Sequence, residues 1–214
     1  MSKVGLKTVL SVLLAAALQS PGFAAPLLTD VVSPDGTLTF EEIVFAPNTV
    51  ISNQYAGQGV TFGPTVFYDP VGSPNVGDFF APIHSGHAIG NMFGFQPGQQ
   101  VVPIDIFFAS PVSAASVRLV LNVQVPFTGI AKLGGVDVET HAFSLANGCR
   151  VQSIGCITVG FQGILFDQIR LTNFQFPSVR LDTIAFKVPE PGFLTAGGLL
   201  ALLVLRRRAT RRYH

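Results

Sequence analysis

Ser116-Val117-Arg118-Leu119-Val120-Leu121-Asn122-Val123-Gln124-Val125 decides the fold class. Val117, Leu119, Leu121 and Val123 recur every second residue, which puts them on one face of an extended strand. A helix would need an apolar repeat near 3.6 residues, and none is sustained between residues 25 and 187. Outward from this run lie further short apolar segments set off by Gly, Pro and Asn. On its amino-terminal side they are Thr37–Phe40, Ile43–Phe45, Gly59–Phe62, Val66–Tyr68 and Ile104–Phe108. On its carboxyl-terminal side they are Thr128–Lys132, Val136–Thr140, Ile157–Phe161, Gln168–Thr172 and Val179–Lys187. Gly134-Gly135 stands between two of these segments and predicts a hairpin turn. Many short strands without helices predict an all-β fold, an antiparallel β-sandwich of jelly-roll type.

Composition agrees with this and removes several function classes. Gly at 22 and Pro at 15 of 214 residues favour a turn-rich β protein over a helical bundle. Charged residues make up 12%, about half the usual share, and mean hydropathy is +0.49. Disordered acidic or basic chains need the opposite balance. The formal net charge of +1 leaves no excess for nucleic-acid phosphates. Its distribution is uneven. Residues 25–187 carry six basic and eleven acidic side chains, a net of −5, and five arginines cluster at the carboxyl terminus.

Both ends predict export. Lys3 and Lys7 precede the apolar run Val9 to Leu18, and Gly22-Phe23-Ala24 supplies small residues at −3 and −1. This predicts a signal peptide over 1–24 with cleavage after Ala24, an uncleaved amino-terminal anchor being the alternative. At the other end, Val188-Pro189-Glu190-Pro191 is followed by apolar Gly192 to Leu205, then Arg206, Arg207, Arg208, Arg211 and Arg212. Fourteen helical residues rise about 21 Å against a hydrocarbon core of about 30 Å. Such a short transmembrane helix spans only with snorkelling flanks, and the arginines hold its end on the cytoplasmic side. A permanent tail anchor and a protein-interaction helix are the alternatives. The chain thus divides into a signal peptide (1–24), an exported domain (25–187) and a tail (188–214).

The order of motif, Gly/Leu/Ala-rich helix and arginine cluster resembles the PEP-CTERM sorting tail of Gram-negative bacterial surface proteins. The resemblance covers Val188 to His214 and departs from the family in six residues beyond Arg208. It implies that Pro189, Glu190 and Pro191 are recognised by a membrane-embedded exosortase, a cysteine-peptidase-like enzyme that cuts near this motif. It implies a cell-envelope or matrix destination, with the export machinery as a further partner and extracellular polysaccharide as a candidate one. The body more loosely resembles the β-sandwich domains carried ahead of such tails, in Phe40-Glu41-Glu42, Asn53-Gln54-Tyr55, Gly59-Val60-Thr61-Phe62 and the last segment Leu181-Asp182-Thr183-Ile184-Ala185-Phe186.

Chemistry-bearing residues are sparse. Cys149 and Cys156 are the only cysteines, and an exported chain meets oxidising conditions, so the pair predicts a disulfide, with two free thiols as the alternative. His84-Ser85-Gly86-His87 could offer two metal ligands, yet Pro82 and Gly90 around it predict a solvated loop. A Gly-x-Ser-x-Gly elbow is absent. Asp69, Asp78, Asp105, Asp137 and Asp167 are scattered singly, so an envelope hydrolase working through paired carboxylates is the least favoured function. In many sugar-binding jelly rolls, carboxylates on the first and last strands share a structural Ca²⁺. Glu41 or Glu42 with Asp182 occupy such positions, or else simply face solvent. Seventeen Phe and no Trp in the body favour core filling over sugar stacking. The expected role is therefore a non-enzymatic exported protein without an obligatory cofactor, and a calcium-dependent carbohydrate-binding module is the alternative.

Overall fold

The structure, a computed structural model, describes residues 25–70, 86–91, 102–121, 126–144, 149–151, 154–174 and 179–190. Among these, eleven strands form one continuously hydrogen-bonded sheet, every pairing antiparallel. They are β1 (Ala25–Leu27), β2 (Gly36–Leu38), β3 (Val60–Phe62), β4 (Phe67–Pro70), β5 (His87–Gly90) and β6 (Ile104–Leu121). β7 (Phe127–Leu133), β8 (Val136–Phe143), β9 (Cys149–Val151), β10 (Ile154–Thr172) and β11 (Val179–Lys187) complete the set. The only helical element among the described residues is a 3₁₀ turn, Ala56–Gln58. The main path runs β4-β5-β11-β6-β10-β7-β8, with β1 and β9 on β10, β2 on β11 and β3 on β6.

Two long strands organise this sheet. The amino-terminal part of β6 pairs with β3 and with the carboxyl-terminal part of β10, which continues to β7. The carboxyl-terminal part of β6 pairs with β11 and with the amino-terminal part of β10. Sequence reading splits each of these strands in two, at Ala109-Ser110-Pro111 and at Gly163. The chain instead runs on through both breaks. Pro111 lies where the β6–β10 register shifts, between the pairs Phe166–Val112 and Gln168–Phe107. A residue without an N–H is tolerated where the ladder is interrupted. At the neighbouring register shift, between Gln162 and Phe166, Gly163 takes φ +79°, a conformation open to glycine at little cost.

Residues from both parts feed one core. Ile104, Ile106 and Phe108 join Val117, Leu119, Ile157, Val159, Phe161, Phe166, Leu181 and Ile184 in a single buried cluster. Val117 and Leu119 are fully buried and Arg118 between them is exposed, as the alternation requires. Phenylalanine supplies much of the interior through Phe40, Phe62, Phe127, Phe143 and Phe186. The opposite face of β6 is also covered, because Leu27, Val31 and Ala185 form a second small cluster with Ala114. The row beneath that cover is built from small residues, Ala185 opposite Ser116 opposite Gly160, with Leu27 paired next to it.

Local signals account for several elements. Gly134 and Gly135 both have positive φ, +58° and +82°, the type I′ geometry that joins β7 to β8 in register. Ile43-Val44-Phe45, by contrast, is not a strand. The chain leaves β2 and turns at Phe40, whose φ is +66°. That backbone cost is offset by complete burial of the ring against Tyr55 and Phe62. His87 belongs to β5 rather than to a loop, paired with Pro70 of β4. His84 lies outside the described residues.

Candidate functional site

The end of the last strand is what positions the residues that lead into Pro189 and Glu190. β11 has partners on both sides, β6 along its length and β2 or β5 on the other edge. Its ordered hydrogen bonding continues past Lys187. The Asp35 N–H donates to the Phe186 carbonyl at 2.9 Å, and the Ser113 hydroxyl donates to the Lys187 carbonyl at 3.3 Å. The Val188 N–H then donates to Asp35 Oδ2 at 2.8 Å. Gly36 allows this approach, since a Cβ there would stand 2.3 Å from the Phe186 ring. Pro189 is buried against the body and Glu190 is exposed. Pro191, the 192–205 apolar segment and Arg206, Arg207, Arg208, Arg211 and Arg212 lie outside the described residues, as does the 1–24 segment. Among the described residues no helix is long and apolar enough to cross a membrane.

The three carboxylates considered for calcium each have protein partners. Glu41 accepts the His87 backbone N–H at 2.6 Å through Oε1, and His87 Nδ1 lies 2.9 Å from Oε2. Gly86, with φ +96°, makes room: a Cβ there would come within 2.0 Å of Glu41 Oε1. Glu42 instead turns back on its own segment and accepts the Thr39 N–H at 3.0 Å and the Thr39 hydroxyl at 2.9 Å. Burial works to raise the Glu42 pKa, but the Thr39, Glu42 and Phe40 N–H groups and the Thr39 hydroxyl outweigh it and lower the pKa. Asp182 lies 3.5 Å from Arg118 Nε and accepts the Thr183 hydroxyl at 3.3 Å. Among the described residues no group of three or more His, Cys, Asp and Glu is placed to hold a metal ion.

Under the Glu41–Glu42 segment lies an aromatic cluster that sequence spacing does not reveal. Phe45 meets Tyr55 and Tyr68 edge-on at 6.2 and 5.3 Å, and the Tyr68 ring tilts against His87 at 5.5 Å. Both tyrosines are fully buried. Burial raises the Tyr55 pKa far above its ordinary value, and the charges of Glu42, Tyr68 and Glu41 push the same way. Tyr68 is raised by burial and by Glu41, against a backbone hydrogen bond at Phe45. Glu41 therefore fastens the start of β5 over a dry aromatic floor. A structural anchor is the chemistry this arrangement supports.

Two further polar features complete the described surface and interior. Cys149 and Cys156 stand directly opposite each other where β9 pairs with β10, a placement their spacing of seven positions permits but does not require. Arg180 is only 2% exposed near the start of β11, where strand alternation predicts an outward, solvated side chain. Its Nη1 donates to the Val179 carbonyl at 3.3 Å, and Gly90 of β5 gives it space, since a Cβ there would lie 2.5 Å from Nη1. Asn91 beside it bridges strands, donating to the Val102 carbonyl at 3.1 Å and accepting the Val179 N–H at 3.4 Å. No sequence signal marks this cluster, because Gly90 meets Arg180 only through the pairing of β5 with β11. No family model, curated protein or solved structure matches the chain.

Proposed function

We propose that the protein is a non-enzymatic, exported β-sandwich protein, delivered to the cell envelope or extracellular matrix through its carboxyl-terminal tail. The observation that carries this reading is the tail's order: Pro189-Glu190-Pro191 two residues beyond the last strand, then an apolar helix-length segment, then five arginines. A folded body in which the chain stays hydrogen-bonded up to Val188 and Glu190 stands exposed just beyond the last strand supports it further. In this reading 1–24 directs export and is removed, 192–205 pauses in the inner membrane, and an exosortase-type peptidase recognises Pro189, Glu190 and Pro191. The sandwich description is supported by the register shifts that interrupt the β6–β10 ladder and by the single core that both halves of these strands feed. Cys149 and Cys156, in register across β9 and β10, form a disulfide that clips that hairpin after export.

The calcium-dependent carbohydrate module is the weaker reading. Its carboxylates Glu41, Glu42 and Asp182 are engaged with His87, Thr39 and Arg118. The test is to express the full chain in its source organism with Glu190→Ala, and separately without the arginines of 206–212. Mass spectrometry of the carboxyl terminus and envelope fractionation then follow the product. Both variants are expected to keep an uncut tail in the inner membrane. Wild-type processing and location in both refutes the reading.

A further inference from the structure

The backbone just before the tail motif is tied into the domain by three hydrogen bonds. Phe186 C=O, Lys187 C=O and Val188 N–H are held by Asp35, Ser113 and Asp35 again, and Pro189 is buried and has no N–H to offer. The next three residue steps, from Pro189 to Gly192, reach about 11 Å even when fully extended. A peptidase that binds its substrate as an extended strand needs free backbone donors and acceptors on both sides of the bond it cuts. On the amino-terminal side of Glu190 the folded body already holds the Phe186 and Lys187 carbonyls and the Val188 N–H.

We propose that Asp35 is a latch on this junction: its carboxylate holds Val188 in the domain, and an extended-cleft tail peptidase engages the motif only when that hydrogen bond opens. This rests on the sorting reading above and adds a regulating residue to it. The reaction gated is hydrolysis of one tail peptide bond, water supplying the hydroxyl of the new carboxyl end and the hydrogen of the new amine. Asp35 does not touch the reacting atoms; it positions the chain that carries them. The latch joins residues 153 positions apart, so it closes only once β2 and the last strand, β11, have met.

Two measurements on Asp35→Ala and the milder Asp35→Asn test the latch. In the first, hydrogen exchange of the purified full chain is followed amide by amide. Removing a charged acceptor is expected to speed exchange at Val188 roughly 10- to 100-fold in Asp35→Ala and less in Asp35→Asn. Leu181 and Ile184, deeper in β11, are expected to keep their wild-type protection. In the second, pulse-chase in the source organism times tail loss, with Glu190→Ala alongside. Asp35→Ala is expected to lose its tail several-fold faster than wild type, and Glu190→Ala to retain it. Wild-type or slower tail loss in Asp35→Ala, with Glu190→Ala still blocked, overturns the latch and leaves the sorting reading standing. Normal processing of Glu190→Ala removes the sorting reading and the latch's role together. Unchanged exchange at Val188, or uniformly faster exchange along β11 in both Asp35 variants, also overturns the latch.

Discussion

Replacing Gly160 by alanine should cost far more than the one methyl it adds. Gly160 sits at the centre of the β6–β10 ladder, directly opposite Ser116. The new Cβ would lie 1.9 Å from the Ala115 carbonyl oxygen and 2.8 Å from the Ser116 Cα. Both obstacles are backbone, so no rotamer change relieves them and the two strands must move apart. Overpacking of this kind costs about 1–3 kcal/mol, and an immovable neighbour places Gly160→Ala at the upper end, about 3 kcal/mol. For a domain of this size each kcal/mol lowers Tm by about 2–4 °C, so the expected fall is about 6–12 °C. Thermal unfolding followed by circular dichroism measures it, with Gly57→Ala as the control. A Cβ at Gly57 meets nothing within 4 Å, so that variant should stay within about 2 °C of wild type. A Gly160→Ala protein that melts within 2 °C of wild type refutes the close-approach argument and the placement of β10 against β6.

Three other outcomes follow from the same structure. Cys149→Ala should lower stability by about 2–3 kcal/mol and leave Cys156 open to alkylation without reductant, read by mass spectrometry and urea unfolding. Glu42 has a folded pKa below its ordinary value, so its stabilising effect is complete above that value and fades as pH falls through the lowered one. Tm measured from pH 7 down to pH 3 should therefore drop less steeply at the acid end in Glu42→Gln than in wild type. Tyr55 and Tyr68 have raised pKa values, so the folded state keeps both phenols protonated while the unfolded chain ionises them above about pH 10. Stability should fall as pH rises past 10, and absorbance at 295 nm should show both ionising only on unfolding, with Tyr55→Phe flattening the alkaline loss.

What sequence could show was whatever one strand determines by itself. Val117 and Leu119 alternate with Arg118, and both are buried while the arginine is exposed. Gly134-Gly135 specifies its own turn because positive φ at two successive residues is cheap only for glycine. What failed was whatever depends on a partner strand. Pro111 reads as a break because it cannot join a ladder, but the β6–β10 register shifts there and leaves the ladder interrupted where the N–H is missing. Arg180 reads as outward-facing from its own strand, and only β5 across from it, with Gly90 in place, makes burial workable. Ile43-Val44-Phe45 has strand composition but follows the turn at Phe40, and Phe45 is spent on Tyr55 and Tyr68 instead. Glu41 and Glu42 read as a pair on opposite faces of a strand. Without that strand they diverge, one to His87 and the other back to Thr39.

The same distinction separates the tail's residue pattern, which is local, from its hold on the domain, which is not. Pro189-Glu190-Pro191 and the arginines are local patterns, whereas Asp35 is an unremarkable acidic residue whose partner lies at the far end of the chain. Both ends of the described body attach to the same part of the sheet. β1 begins at Ala25 on β10, Val31 donates its N–H to Ser116 on β6, and β2 brings Asp35 to the end of β11. The small-residue row Ala185, Ser116 and Gly160 is what lets the first seven residues lie flat over that sheet. If that row were bulky, the segment leading to Asp35 would be lifted from β11 and Val188 would lose its acceptor. The Asp35 contact is therefore conditional on the packing of a face built from β6, β10 and β11, all distant from Asp35 in sequence. In the latch proposed above, that condition makes access to the tail a readout of whether the domain has folded.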